Sequence, residues 1–203
     1  MPGLISRDHS TPVLPATQER PFPVLSLVGG KWTTFRAFAA EVSDQILIAL
    51  ERPRANSTET LPIGGGRGFP VSLTAREKWV DDIESSSGLQ RSRVEMLLGR
   101  YGTRAADIAV HEGQQDTSVI HGAPDYTEAE IEWLAQNESV IHLEDLVLRR
   151  TLLAISGRLT LEGLNQVAET TGAALGWDAQ RKHAERGQLL HRLADSHGVT
   201  SLR

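Results

Sequence analysis

The chain has 203 residues, 39% of them hydrophobic and 5% aromatic, with a formal net charge of -5 and no cysteine. That length holds one domain and part of another, with enough apolar residues for a packed core and no general pull toward nucleic acid or an anionic membrane. Disulfides, thiolate metal sites and thiol nucleophiles are excluded outright, which fits a cytoplasmic protein.

Near the start, Arg7, Asp8 and His9 stand where a secretory leader would need its apolar stretch, so no leader is expected. Residues 22–28 (FPVLSLV) stay apolar without alternating, which predicts a short strand buried on both faces. Gly29 and Gly30 close that strand, and after them the period changes. Phe35, Phe38, Ala39, Val42 and Ile46 recur at three- and four-residue steps, so 32–50 is predicted to be an amphipathic helix. The polar run ERPRANSTET at 51–60 leads out, and LPIGGGRGFPVS at 61–72 reads as a turn with four glycines in five positions. The apolar runs at 24–28 and 46–50 are far short of a bilayer span, so any membrane contact is expected to be peripheral.

From there the pattern is helical to the end. TARE at 74–77 has the form of a capping box, SGLQ at 87–90 is a second candidate, and TEAE at 127–130 opens another helix. Val94, Leu97, Leu98 and Tyr101 mark one helix face that Gly102 stops; Leu143, Leu146, Val147 and Leu153 mark a further helix, and Leu161, Leu164, Val167 and Ala168 another. The last helix is predicted over 179–196, ended by Gly198. The fold class is therefore mainly α: a bundle of about five or six helices, preceded by a short strand-turn-helix. The predicted division is 1–52, then a linker and glycine-rich turn at 53–73, then an all-helical domain at 74–203. One buried strand and one helix cannot cover their own apolar faces, so residues 1–52 read as a piece of something larger: the missing strands come from another polypeptide, or the chain is a truncated form, or this segment packs unusually on the helical part.

A strand, a glycine turn and a helix start make an anion site, because the first amides of the helix are unpaired and its dipole is positive there. Lys31 adds a full charge, and the Thr33 and Thr34 hydroxyls are placed to cap or to donate. By itself this stretch is equally compatible with cofactor contact and with a turn that the threonines merely cap. Seven histidines invite a metal site, yet none are spaced as His-x-x-x-His, so no metal is expected. Glu128, Glu130 and Glu132 read as acids favoured by a helix start, Arg100 and Tyr101 as a helix-end closure, and Arg149 and Arg150 as partners for carboxylates between helices.

GGKWTTFR at 29–36 resembles the Gly-Gly-Lys-x-Thr-Thr-Tyr-Arg signature of FAD-dependent glycerol-3-phosphate dehydrogenases. SRDH at 6–9, LPIGGG at 61–66, LLGRYG at 97–102 and EIEWLAQNESVIHLEDLVLRRT at 130–151 resemble further segments of that family in the same order. Trp32 replaces a smaller apolar residue and Phe35 a tyrosine, and no Gly-x-Gly-x-x-Gly occurs: in GGGRGF the sixth position is Phe69. The resemblance covers about the C-terminal third of such an enzyme. It implies that 1–52 is the end of an α/β FAD-binding domain, with Gly29, Gly30, Thr33 and Thr34 beside the flavin and Arg7 and Lys31 toward substrate. Arg7 alone would read as a solvated strand-end arginine. The implied reaction takes a hydride from C2 of sn-glycerol 3-phosphate to FAD, yielding dihydroxyacetone phosphate, with electrons passed to quinone. The implied partner is the missing FAD-binding N-terminal portion, with no nucleic acid and no transmembrane segment. The implied location is cytoplasmic or peripheral on the inner membrane face. The chain alone is expected to be inactive and not to retain FAD; a non-catalytic helical interaction module derived from that enzyme is the alternative.

Overall fold

The computed structural model describes residues 8–29, 31–200 and 202. The chain divides into two compact units, one reaching to Ile63 and one running from Gly64.

In the first unit, β1 (His9–Ser10), β2 (Val13–Leu14), β3 (Val24–Leu25) and β4 (Val28–Gly29) form two antiparallel pairs that share one register. His9 lies opposite Gly29 and Ser10 opposite Val28; Val13 lies opposite Leu25 and Leu14 opposite Val24. This is one two-stranded ribbon interrupted at Pro12, which has no N–H to give to a ladder. The Pro12 carbonyl still accepts the Ser26 amide at 2.9 Å. The expected single strand at 22–28, buried on both faces, is therefore corrected. Val24 and Leu25 are only half-buried, while Leu27 and Val28 are exposed, because a ribbon of two strands has no further sheet to cover it. A 3-10 turn over Trp32–Thr34 then leads into α1 (Phe35–Ala49). The stripe 35-38-42-46 is helical in spacing, but only Phe38 and Val42 are buried; Phe35 and Ile46 remain exposed.

The second unit carries six α-helices among the described residues: α2 (Leu73–Ser87), α3 (Arg91–Tyr101), α4 (Ala105–Gly113), α5 (Glu128–Asn137), α6 (Leu161–Ala174) and α7 (Ala179–His197). The mainly-α expectation holds. α4 packs on α2, α3 and α5, α5 on α6, and α6 on α7. They enclose a continuous core that includes Leu97, Ile108, Ile131, Leu134, Leu164 and Leu189. Four helices start on a side-chain oxygen that accepts a first-turn amide: Ser72 from Ala75 at 3.1 Å, Thr127 from Glu130 at 3.1 Å, Thr160 from Gly163 at 3.0 Å and Asp178 from Arg181 at 2.7 Å.

Four local expectations change. The cap of α2 is Ser72 rather than Thr74, which lies inside the helix. Ser87 ends α2 instead of opening α3; its hydroxyl bonds back to the Ile83 carbonyl at 2.7 Å, and Gly88 takes the left-handed turn. The segment around Leu143–Leu153 is a π-turn over Asp145–Arg150 rather than an α-helix. Asp145 accepts the amides of Ile141 and His142, and the Thr151 amide reaches the Leu146 carbonyl five residues back. Finally, a hairpin of β5 (Val119–Ile120) and β6 (Ala123–Thr127) interrupts the helices after α4, turning at His121 and Gly122.

The glycine-rich turn has a packing reason. A Cβ on Gly65 would sit 1.8 Å from the Tyr101 carbonyl oxygen, and one on Gly102 would sit 2.4 Å from the Gly65 oxygen. The two backbones touch directly, and the Thr103 hydroxyl donates to Gly65 at 2.9 Å beside them.

Candidate functional site

The start of α1 gathers most of the predicted site residues. Gly29 ends β4, and a Cβ there would meet only the Phe38 ring at 3.7 Å and His9 at 4.0 Å, so ordinary packing in this chain does not require glycine. Lys31 is extended, with φ -137° and ψ 133°, is exposed, and its ammonium has no hydrogen-bond or ion-pair partner among the described residues. Trp32 is 91% exposed. Thr33 is exposed, while the half-buried Thr34 donates its hydroxyl to the Lys31 carbonyl at 3.2 Å instead of capping the helix. Neither the Trp32–Thr34 turn nor α1 has a side-chain cap, and neither has an acidic residue in its first turn. The four described members, Gly29, Lys31, Thr33 and Thr34, thus share one exposed turn with free positive potential. Arg7 and Gly30 lie outside the described residues.

The second unit holds a charged cluster of the opposite kind, buried and closed. Glu130, wholly buried on α5, accepts from Arg93 at 2.7 Å, from Arg100 at 3.1 Å and from the Tyr101 hydroxyl. Arg93 also grips Glu112 of α4 with two bonds of 2.9 and 2.7 Å and reaches the Asp125 carbonyl at 2.8 Å. Arg100 bonds the Asp125 carboxylate and carbonyl and lies over the Tyr126 ring at 3.8 Å, a cation–π contact. Arg158 closes the group from outside, donating to Asp125 at 3.0 Å. Burial first, then the charge and hydrogen bond of Glu130, push the Tyr101 hydroxyl far above the usual phenol range, so it remains a donor. Burial alone would raise the Asp125 carboxyl, but the Arg158 hydrogen bond, its own amide and the two arginine charges hold it below the usual range. Three arginines face three carboxylates, and the arrangement ties α3, α4, β6 and α5 together.

From sequence, Glu130 reads as an acid favoured by a helix start, with no partner assigned to it. The missed signal is on α3: Arg93 and Arg100 are seven residues apart, hence on one face, and need a buried acid opposite. Arg149 pairs within its own segment, with Asp145 at 2.7 Å and Glu144 at 3.0 Å, rather than between helices.

The family described as the C-terminal domain of alpha-glycerophosphate oxidase matches residues 56–182, more than half of the chain, and the chain belongs to it. Glycerol-3-phosphate dehydrogenase 2 of Mycobacterium tuberculosis is 30% identical over 179 residues, covering 86% of this chain and 29% of that protein. Glycerol-3-phosphate dehydrogenase of Synechocystis is 28% identical over 192 residues, covering 88% of this chain and 32% of that one. Among solved structures, the glycerol-3-phosphate dehydrogenase of Bacillus halodurans, complexed with FAD, superposes with a TM-score of 0.63 at 18% identity over 84% of this chain and 35% of that one. The fold is shared with that structure. The chain spans about a third of the length of the relatives it matches.

Proposed function

We propose that this chain supplies the C-terminal portion of an FAD-dependent sn-glycerol-3-phosphate dehydrogenase, and that the turn between β4 and α1 is its contribution to the flavin site. The observation that carries this reading is the start of α1: without a side-chain cap, free of acidic residues in its first turn and led by Lys31, whose ammonium has no partner among the described residues. These features suit an electron-accepting planar ring that gains negative charge when reduced, which is the demand a flavin makes.

FAD, when bound, supplies the acceptor for the hydride leaving C2 of sn-glycerol 3-phosphate, giving dihydroxyacetone phosphate, with the electrons passing on to quinone. On this reading Gly29 and Gly30 let the ring approach the backbone, and the α1 amides with the Thr33 and Thr34 hydroxyls meet its polar edge. Lys31 and Arg7 hold the substrate, Arg7 through the phosphate, which a planar guanidinium can bond twice. The pyrophosphate end of FAD needs a glycine fingerprint that this sequence lacks, so the partner is an FAD-binding portion and the chain alone is inactive. The proposed limits are 1–52 for the end of the FAD- and substrate-binding domain, 53–73 for the linker and 74–203 for the helical domain. No helix among the described residues is long and apolar enough to cross a membrane. A cytoplasmic place, or one peripheral to the inner membrane face, follows from this reading, with no role for nucleic acid.

Mixing the chain with a polypeptide carrying the FAD fingerprint of such an enzyme is expected to restore dye reduction by sn-glycerol 3-phosphate. A stable complex that stays inactive would overturn the proposal. One observation favours a second reading, a non-catalytic helical module: the second unit completes its own core and ionic cluster. A flavin absorption band in the purified chain near one equivalent would exclude it.

A further inference from the structure

Directly across the ladder from Gly29 stands His9. Its imidazole lies against the Phe38 ring, with centroids 4.5 Å apart and planes tilted by 35°, and its Nε2 is 3.0 Å from Oε2 of Glu41. Phe38 and Glu41 are three residues apart on α1, so ring and carboxylate meet the imidazole from one face of the helix. Phe38 is also the nearest side chain to Gly29. One histidine from β1 therefore spans the end of β4 and engages α1 at two points. The pair is half-exposed, and a lone ion pair of that kind is weak. Here the imidazole is already fixed by the ladder and by the ring contact, so little side-chain freedom is left to lose.

We propose that His9 and Glu41 form a positioning clasp that holds the Gly29 end of β4 on α1. It thereby sets where the turn presents Lys31 and the first amides of the helix. The proposal rests on the flavin reading above and deepens it: neither residue is assigned a contact with substrate or cofactor, and both act through Gly29.

Amide exchange measured by NMR on the full chain tests the clasp without any cofactor. Substituting His9→Ala or Glu41→Ala is expected to speed exchange at Val28 and Gly29 by roughly three- to tenfold, the scale of one exposed ion pair with a ring contact. The double substitution should add little, His9→Gln should recover part of the protection, and amides of α7 should not change. Unchanged exchange, or effects that add in full, would overturn the clasp. In the reconstituted complex with an FAD-binding portion, His9→Ala is expected to shift the flavin absorption band and lower kcat with KM for sn-glycerol 3-phosphate nearly constant. A spectrum and kcat identical to the unsubstituted complex would overturn the step from Gly29 to the flavin. If the unsubstituted complex binds no flavin, the functional reading is what fails, and the clasp is still decided by the exchange data.

Discussion

The two units of the chain treat their apolar residues in opposite ways. From Gly64 onward, two dozen buried hydrophobic residues form one cluster, and even the charges inside are matched. Before it, the buried apolar side chains among the described residues are Phe38 and Val42, while Trp32, Phe35, Leu27, Val28, Ile46, Ile48 and Leu50 remain exposed. A two-stranded ribbon and one helix cannot do better, because burial requires a second layer that the described residues of this unit do not contain. The contrast separates a unit that buries a large core of its own from one that, among its described residues, leaves most of its large apolar side chains exposed.

The largest effect should come from the centre of the closed unit. Replacing Glu130 by alanine leaves Arg93 and Arg100 facing each other with one carboxylate fewer, in a place with almost no water. Removing one partner of such a group costs about 3–5 kcal/mol. Thermal unfolding followed by the emission of the buried Trp133 and Trp177 should shift down by more than about 10 °C. Glu130→Gln, which keeps the shape and one acceptor oxygen but replaces the other with a donor, should fall between. An unshifted transition would mean that the cluster is decoration, and the contrast between the units would lose its strongest element.

Next come two truncations that set the units against each other. Leu134 is wholly buried on α5, and Leu134→Ala should cost about 2–5 kcal/mol through lost transfer energy and the cavity left behind. Phe38 is nearly as buried, yet Phe38→Ala should leave the main transition of the second unit where it was, within about 0.5 kcal/mol. Denaturant unfolding by circular dichroism measures both. Equal shifts would show that the units melt as one body and that the first is better supported than its exposure suggests.

What could be read in advance follows the same division. Elements specified by neighbours in sequence were legible: the stripe of α1, the Thr127 cap, the end of α7 at Gly198. Those specified by distant residues were not. The pairing of 9–14 with 24–29 depends on a register set across a long loop, and Pro12 hides it by breaking the ladder. The hairpin at 119–127 left only a two-residue His121-Gly122 turn as its local sign. Glu130 reads only as an acid favoured by a helix start, because its three partners lie 29 to 37 residues away. At the start of α1 the residue types were legible and their exposure was not: sequence spacing says which residues share a turn, whereas the absence of a cap is a matter of where Thr34 sends its hydroxyl.

The smallest effect on the isolated chain, and the sharpest test of an unfinished surface, belongs to Trp32. An indole that is 91% exposed adds almost nothing to folding, so Trp32→Ala should change stability by no more than about 0.5 kcal/mol. Its emission should be the most red-shifted of the four tryptophans and freely quenched by acrylamide, and Trp32→Phe should remove that component alone. Large aromatic residues that are idle in a free protein are the ones that anchor an interface once a partner covers them. With the FAD-binding portion added, the Trp32 component should therefore shift to the blue and become protected, and Trp32→Ala should weaken the complex by about tenfold or more. Protection of this indole in the chain alone would erase the difference between the units at its most exposed point, because Trp32 would then already be covered by something the chain itself provides.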